Sequence, residues 1–159
     1  MNNARQSLRV NVGFLVNQEV GTSRDIHFEH DLITLSDDLT LEDFKGVVRI
    51  SKTANGLLVQ GDFGANIQME CVRCLEEFRY PIRAQFDELY AFNRRHVTES
   101  DLVVPENGFI ELESILREYL LIEMPIRPLC KEDCKGLCVV CGADLNHEDC
   151  GHKQGVSED

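Results

Sequence analysis

The feature that most limits how this chain can fold is a run of five cysteines within 21 positions near its C-terminal end. The spacing is Cys130-x3-Cys134-x3-Cys138-x2-Cys141-x8-Cys150. This stretch holds too little apolar material for a hydrophobic core of its own. Thiolates around a metal ion can replace such a core, and Cys138-Val-Val-Cys141 followed by Gly142 makes the sharp turn that tetrahedral coordination needs. The sequence therefore predicts a zinc-ribbon-like segment over residues 126–152.

Five cysteines are one more than a tetrahedral site takes, and the sequence predicts about one zinc ion per chain. The candidate ligands are the cysteines of this segment, in the order of preference Cys138 and Cys141, then Cys134 and Cys150, then Cys130. Two histidines, His147 and His152, could also bind the metal because imidazole is an acceptable zinc ligand, but both lie in a polar stretch where a surface histidine is the commoner outcome.

A second cysteine pair, Cys71-Val72-Arg73-Cys74, lies far from the others in sequence. It could join Cys138 and Cys141 in a ribbon built from two turns, act as a thiol redox pair, or be a turn whose thiols are merely tolerated. A thioredoxin-like pair needs a helix directly after it, whereas a strand pattern follows Cys74. The spacing suits zinc binding and a plain turn equally well, so Cys71 and Cys74 are additional candidate ligands.

The rest of the chain has a mostly β pattern. Alternating apolar residues predict strands over residues 8–16, 26–30, 47–51, 57–69 and 78–92, with a hairpin at Asn55-Gly56 and bends at Gly61 and Gly64. From residue 112 the apolar spacing becomes helical, and Pro125 ends that helix. The predicted fold is α+β and mostly β: an antiparallel curved sheet or open barrel with one packing helix near 111–124. Residues 1–125 form the β-rich domain, 126–152 the cysteine-rich segment and 153–159 a flexible tail.

The net charge of the chain indicates which kind of partner it can bind. The chain has 28 acidic and 16 basic side chains and a net charge of -12, which disfavours broad contact with nucleic acid and favours a basic protein partner. The local basic concentration consists of Arg73, Arg79, Arg83, Arg94 and Arg95, which we take either as sheet-surface arginines or as a confined binding face.

The sequence has no phosphate-binding loop, hydrolase elbow or metalloprotease motif, so no enzyme activity and no small-molecule substrate are expected. It also has neither an export signal nor an apolar span, which predicts a cytoplasmic protein without a membrane partner.

The cysteine motifs resemble those of a known family. The carrying residues are Cys71-Val-Arg-Cys74-Leu75-Glu-Glu-Phe78 and Pro128-Leu-Cys130-Lys-Glu-Asp-Cys134-Lys-Gly-Leu-Cys138-Val-Val-Cys141-Gly-Ala-Asp-Leu-Asn146. They resemble the YceD family, the large ribosomal RNA subunit accumulation proteins, although Val139 stands where many members have proline. The resemblance implies a non-enzymatic factor that supports 23S ribosomal RNA accumulation and large-subunit assembly by binding that RNA or a basic ribosomal protein. The alternatives are a thiol redox protein that uses Cys71 and Cys74, or a general zinc-ribbon interaction module.

Overall fold

The computed structural model of this chain describes residues 7–152. The strands are β1 (Arg9–Asn11), β2 (Ser23–Leu35), β3 (Leu39–Lys52), β4 (Gly56–Glu70), β5 (Glu77–Ala91) and β6 (Phe109–Glu111). The helices are α1 (Gly13–Val16), a 3-10 turn (Arg94–His96) and α2 (Glu113–Glu123). The described residues form two compact units. We call residues 7–67 and 81–124 the sheet unit, and residues 68–80 and 125–152 the cysteine unit.

Strands β2, β3, β4 and β5 lie side by side in chain order as an antiparallel sheet, and β1 pairs with β6 in a separate two-stranded sheet. Within residues 7–152, β2 and β5 are the two edges of the large sheet, so the strands do not close into a barrel. Pro81 lies in β5, where the missing N–H group is tolerated because the strand is at an edge. The prediction of an open, mostly antiparallel β fold with one main helix is confirmed.

Helix α2 forms because residues 112–120 place apolar side chains on one face, of which Leu112, Ile115, Leu116 and Leu120 are buried. It ends at Glu123 because Met124 takes the extended conformation that a residue before proline prefers. The buried carboxylate of Glu113 at the start of the helix accepts hydrogen bonds from Ser36 N–H at 2.6 Å and Ser36 Oγ at 3.2 Å. These bonds attach the helix to the turn between β2 and β3.

Aromatic rings fill the interior of the sheet unit. The ring centroids of Phe63 and Phe86 are 6.1 Å apart, and those of Phe86 and Tyr119 are 5.3 Å apart. The first two rings lie against cross-strand glycines, because a Cβ at Gly46 would overlap Phe63 and one at Gly61 would overlap Phe86. Gly61 was expected to mark a bend but lies in a regular ladder opposite Val48. Its role is to leave room for an aromatic ring.

Three further sequence expectations about the sheets were wrong in detail. The strand predicted over 8–16 ends at Asn11, because the Asn11 side chain accepts the Gly13 N–H and starts a turn that leads into α1. The expected loop over 93–108 leads into β6, which was missed because a three-residue strand has almost no alternation to detect. The irregularity expected near Gly64 lies on the partner strand, between Glu42 and Lys45 of β3. The predicted tail, residues 153–159, lies outside the described residues.

Candidate metal centres in the cysteine unit

The turn between β4 and β5 contains the first Cys-x-x-Cys pair. Its backbone is closed by two hydrogen bonds: Leu75 N–H donates to the Cys71 carbonyl at 2.9 Å, and Cys71 N–H donates to the Glu76 carbonyl at 2.9 Å. Leu75 has a φ of 61°, which is a left-handed conformation. We call this turn the first knuckle.

The second pair repeats the same backbone pattern. Gly142 N–H donates to the Cys138 carbonyl at 2.8 Å, Cys138 N–H donates to the Ala143 carbonyl at 2.8 Å, and Gly142 has a φ of 75°. The residue after the second cysteine is thus left-handed in both turns. We call residues 138–143 the second knuckle. Its Cys-x-x-Cys-Gly sequence predicts this turn directly, whereas the first knuckle reaches it with leucine in the place of glycine.

Four thiols converge at the first knuckle. Cys71, Cys74, Cys130 and Cys134 place their sulfur atoms within 4.8 Å of one another. The Cys71 and Cys134 sulfurs are 3.7 Å apart, and so are those of Cys74 and Cys130. A disulfide would need roughly 2.05 Å, so these are four free thiols grouped around one point. Three of them are buried and the fourth, Cys130, is half-buried.

A second group lies at the second knuckle. It consists of the sulfur atoms of Cys138, Cys141 and Cys150 and an imidazole nitrogen of His152, all within 4.8 Å of one another. His152 Nδ1 is 3.3 Å from the Cys150 sulfur and 3.7 Å from the Cys138 sulfur. Cys138 is buried, whereas Cys141 and His152 are exposed. The second group is therefore more open to solvent than the first.

Hydrogen bonds prepare one thiol of each group for metal binding. Burial opposes ionisation of Cys71, but hydrogen bonds from the backbone N–H groups of Cys74 and Cys130 lower the pKa of its thiol to about 6. Backbone N–H groups of Cys141 and Val140 likewise lower the pKa of Cys138 to about 6. Because metal ions bind thiolates, each group holds one ligand that is largely ionised near neutral pH before a metal arrives.

The Cys130 thiol depends on a bound metal ion for its ionisation. Burial and the neighbouring thiols of Cys74 and Cys134 raise the pKa of Cys130 to about 12. The Cys134 sulfur accepts a hydrogen bond from Asn146 Nδ2 at 3.3 Å, while the Asn146 side-chain oxygen accepts the Lys135 N–H at 2.8 Å. Asn146 thus fixes the end of the 130–134 loop as well as its sulfur atom.

The structure brings the predicted ligands together differently from the expectation of one site. Cys134 and Cys130 join Cys71 and Cys74, and the remaining three tail cysteines join His152. Sequence spacing could not show this division, because five cysteines in the tail are equally consistent with one four-cysteine site plus an unused cysteine. The one indication of two groups was that the Cys130-x3-Cys134 pair is separate in sequence from the second knuckle. His147 is in neither group, and its Nε2 is 3.5 Å from both Glu76 and Asp144 carboxylates.

The five arginines proposed as a binding face are distributed over both units. Arg73 and Arg79 belong to the cysteine unit, and Arg83, Arg94 and Arg95 to the sheet unit. Arg83 forms a bidentate ion pair with Asp62 at 2.6 and 2.9 Å, and Arg94 is 3.3 Å from Asp101. Arg73 donates to the Cys134 carbonyl at 2.9 Å. At least three of the five are therefore engaged within the protein, and their contact with a partner stays a prediction.

Fold and site together define a β-rich protein with two cysteine-rich groups that could hold metal ions, one closing a sheet hairpin onto a C-terminal segment. The sequence model described as large ribosomal RNA subunit accumulation protein YceD matches residues 59–159. This match spans more than half of the chain and includes all seven cysteines. The chain belongs to the YceD family, as its cysteine motifs predict.

Two mycobacterial proteins are similar to this chain over about two thirds of its length. An uncharacterized protein of Mycobacterium tuberculosis (strain H37Rv) is 35% identical over 112 residues, which are 67% of this chain and 53% of the relative. An uncharacterized protein of Mycobacterium leprae is 33% identical over 102 residues, 62% of this chain and 47% of the relative. The chain thus spans about half the length of these mycobacterial relatives.

A plant protein is also similar. It is the chloroplastic large ribosomal RNA subunit accumulation protein YCED homolog 1 of Arabidopsis thaliana, 36% identical over 52 residues, 31% of this chain and 16% of the relative. No solved structure matches the chain significantly. Within residues 7–152, no helix is long and apolar enough to cross a membrane.

Proposed function

We propose that this chain is a zinc-binding, non-enzymatic cytoplasmic factor that supports 23S ribosomal RNA accumulation and assembly of the large ribosomal subunit. The observation that carries the proposal is the convergence of two distant segments, 71–74 and 130–134, on one set of four thiols in a chain of the YceD family. The family description supplies the process. Metal binding by these thiols would give the short segment 125–152 a fixed fold, and therefore a defined surface for a partner.

Zinc fits the donor sets. A zinc–sulfur bond of about 2.3 Å in a tetrahedron places sulfur atoms about 3.8 Å apart. In the first group, the Cys71–Cys134 and Cys74–Cys130 sulfur–sulfur distances are both 3.7 Å. Four cysteines, or three cysteines and one histidine, are the ligand sets of structural zinc sites with no open position for a reactant. Bound zinc would hold residues 125–152 in shape, and it would not take part in a reaction.

The thiol redox alternative has less support. A catalytic pair needs one accessible thiolate and a partner that can form a disulfide with it. Cys71 is fully buried, Cys74 is 5% exposed, and each has a sulfur from the 130–134 loop as neighbour at 3.7 Å. Titration of the purified protein with a thiol reagent distinguishes the two functions. Unreactive Cys71 and Cys74 that become reactive after chelation support zinc binding, whereas reactive thiols in the metal-loaded protein support redox chemistry.

The process is tested in cells that lack the gene for this chain. We expect the ratio of 23S to 16S ribosomal RNA to fall and to be restored by the wild-type gene but not by a Cys71→Ser/Cys134→Ser variant. Tagged wild-type protein should also co-sediment with large-subunit precursors. An unchanged RNA ratio together with no co-sedimentation would refute the proposed function.

A direct contact with RNA would use the confined arginine face. Arg79 and Arg83 are both exposed and two strand periods apart on β5, so the proposal is that both touch one partner. Replacing both with glutamate should reduce recovery of precursor particles at matched salt. The control is Arg24→Glu/Arg49→Glu, which changes the charge equally and in which Arg49 loses a bidentate pair with Asp25 like that of Arg83 with Asp62. Equal recovery by both variants would leave a basic protein as the better partner.

A further inference from the structure

We propose that the first knuckle is a docking tip, at which the exposed side chains of Leu75 and Val72 receive a lysine- and arginine-rich segment of a protein partner. This inference rests on the proposed function and names the class of its partner. The turn needs a left-handed residue at position 75, but it does not need that residue to be leucine.

Leu75 is an apolar side chain held in an unfavourable backbone conformation. Its φ of 61° is a region that leucine rarely occupies, because the Cβ crowds the following carbonyl. Gly142 occupies the equivalent position of the second knuckle with a φ of 75°, at no steric cost. The same turn can therefore be built with glycine, and leucine makes it less favourable.

Little packing within the protein offsets this strain, because Leu75 is 56% exposed. The partly buried side chains that pack against the buried sulfur atoms of the first group are Phe78, Leu129, Cys130 and Leu137. A strained residue with a largely exposed apolar side chain is a reason to look for a function, since strain tends to persist at binding sites.

The knuckle presents Leu75 together with a second apolar side chain. Val72, three residues earlier on the same turn, is 50% exposed. Both positions are fixed by backbone hydrogen bonds, from Val72 N–H to the Pro128 carbonyl and from Leu75 N–H to the Cys71 carbonyl, each at 2.9 Å. A rigid apolar tip loses little conformational entropy when a partner covers it, which favours binding. The second knuckle has aliphatic side chains in a similar place, with Val139 82% and Val140 65% exposed.

Charge selects a basic protein as the occupant. The tip is flanked in sequence by the exposed carboxylates of Glu70, Glu76 and Glu77, while the guanidinium of Arg73 is hydrogen-bonded to the Cys134 carbonyl. The cysteine unit as a whole has eight acidic and five basic side chains. Seven thiolates with two divalent ions would add a further net negative charge of about three. Such a surface repels RNA phosphates and attracts lysine- and arginine-rich segments.

The test compares binding by wild-type protein and by Leu75→Gly. Glycine removes the apolar contact and also relieves the strain, so this variant should keep its zinc and unfold at an equal or higher temperature than wild type. The matched control is Leu32→Ser in the sheet unit, because Leu32 is 57% exposed. The probes are the RNA-free protein fraction of large ribosomal subunits and, separately, protein-free 23S ribosomal RNA, each passed over the immobilised, zinc-loaded chain.

We expect wild type and Leu32→Ser to retain a lysine- and arginine-rich protein, identified by mass spectrometry, with an affinity that falls as salt rises. Leu75→Gly should bind that protein about tenfold more weakly. The docking proposal is overturned if Leu75→Gly binds equally, if wild type retains only the RNA, or if it retains neither probe. Self-association is measured by mixing tagged and untagged copies of the chain. The proposal is also overturned if wild-type copies bind each other and Leu75→Gly abolishes that binding, because the tip would then contact a second copy of this chain. Failure of the proposed function is separate, because it appears as a normal 23S RNA level in cells without the gene.

Discussion

The sheet unit buries Phe44, Phe63 and many aliphatic side chains, whereas the buried hydrophobic side chains described in the cysteine unit are those of Cys71, Cys74, Cys134 and Cys138. A core of the first kind gains its stability from the removal of apolar surface from water. The second kind has too little such surface, and sulfur atoms occupy the place that leucine and phenylalanine take in the sheet unit. The two regions should therefore respond to different perturbations, and each can be damaged without the other.

Metal removal should produce the largest effect, and only in the cysteine unit. Structural zinc contributes on the order of 10 kcal/mol to the folding of small segments, so a strong chelator with reductant should unfold residues 125–152. Trypsin should then cut after Lys131 and Lys135, while circular dichroism keeps the β signal of the sheet unit. Continued protection of these two sites in the metal-free protein would show that the cysteine unit has an adequate apolar core after all.

Two cysteine variants should divide the cysteine unit further. Cys71→Ser removes a fully buried candidate ligand of the first group and should expose the trypsin sites after Lys131 and Lys135, because that group joins the β4–β5 turn to the 130–134 loop. Cys150→Ser removes a half-buried candidate ligand of the second group and should leave Lys131 protected. Equal exposure in both variants would mean that the two groups fold as one and would contradict their separation.

A core substitution should have the opposite selectivity. Phe63→Ala removes a ring that is 1% exposed and stacks on Phe44 and Phe86, and it should lower the free energy of unfolding of the sheet unit by about 3–5 kcal/mol. Zinc content per chain should not change, because no ligand belongs to the sheet unit. The control is Phe14→Ala, which truncates a ring that is 39% exposed and should cost clearly less. Zinc loss from Phe63→Ala would show that the units depend on each other.

The smallest of these effects concerns the attachment of α2. Glu113→Ala leaves the Ser36 N–H without its acceptor and should lower the free energy of unfolding of the sheet unit by about 1–3 kcal/mol, measured by urea denaturation. Glu111→Ala, at an exposed position two residues earlier, should change it by less than about 0.5 kcal/mol. Equal effects would indicate that the carboxylates act through the helix dipole and not through the hydrogen bond.

Sequence reasoning found the sheet and α2 because their patterns are long. Fourteen- and fifteen-residue strands and an eleven-residue helix contain enough alternation or helical spacing to identify the element. It placed the end of β1 too late and missed β6 and α1, because these elements contain three or four residues each and are set by single contacts such as Asn11 Oδ1 with Gly13 N–H. The Asn55-Gly56 hairpin is present, but Gly56 is needed because a Cβ there would overlap the Tyr90 carbonyl.

The sequence was sufficient to predict that the cysteines bind a metal, but not which cysteines lie together in one site. Cysteine spacing indicates metal ligation, and the knuckle at Cys138 follows from its sequence. Which cysteines share a site depends on the β4–β5 turn reaching the 130–134 loop, a contact between residues about sixty positions apart that no local pattern encodes. His152 was a possible ligand from its residue type, as was His147, but their similar polar surroundings could not show that His152 joins the cysteines and His147 does not.

The central claim is that the cysteine unit holds two separate sets of four ligands, and the most direct test is the number of zinc ions per chain. Native mass spectrometry of the purified, reduced chain measures that number together with the oxidation state of the thiols. The two groups predict two zinc ions and no disulfide bond. A single zinc ion, or none with the thiols oxidised in pairs, would contradict the account.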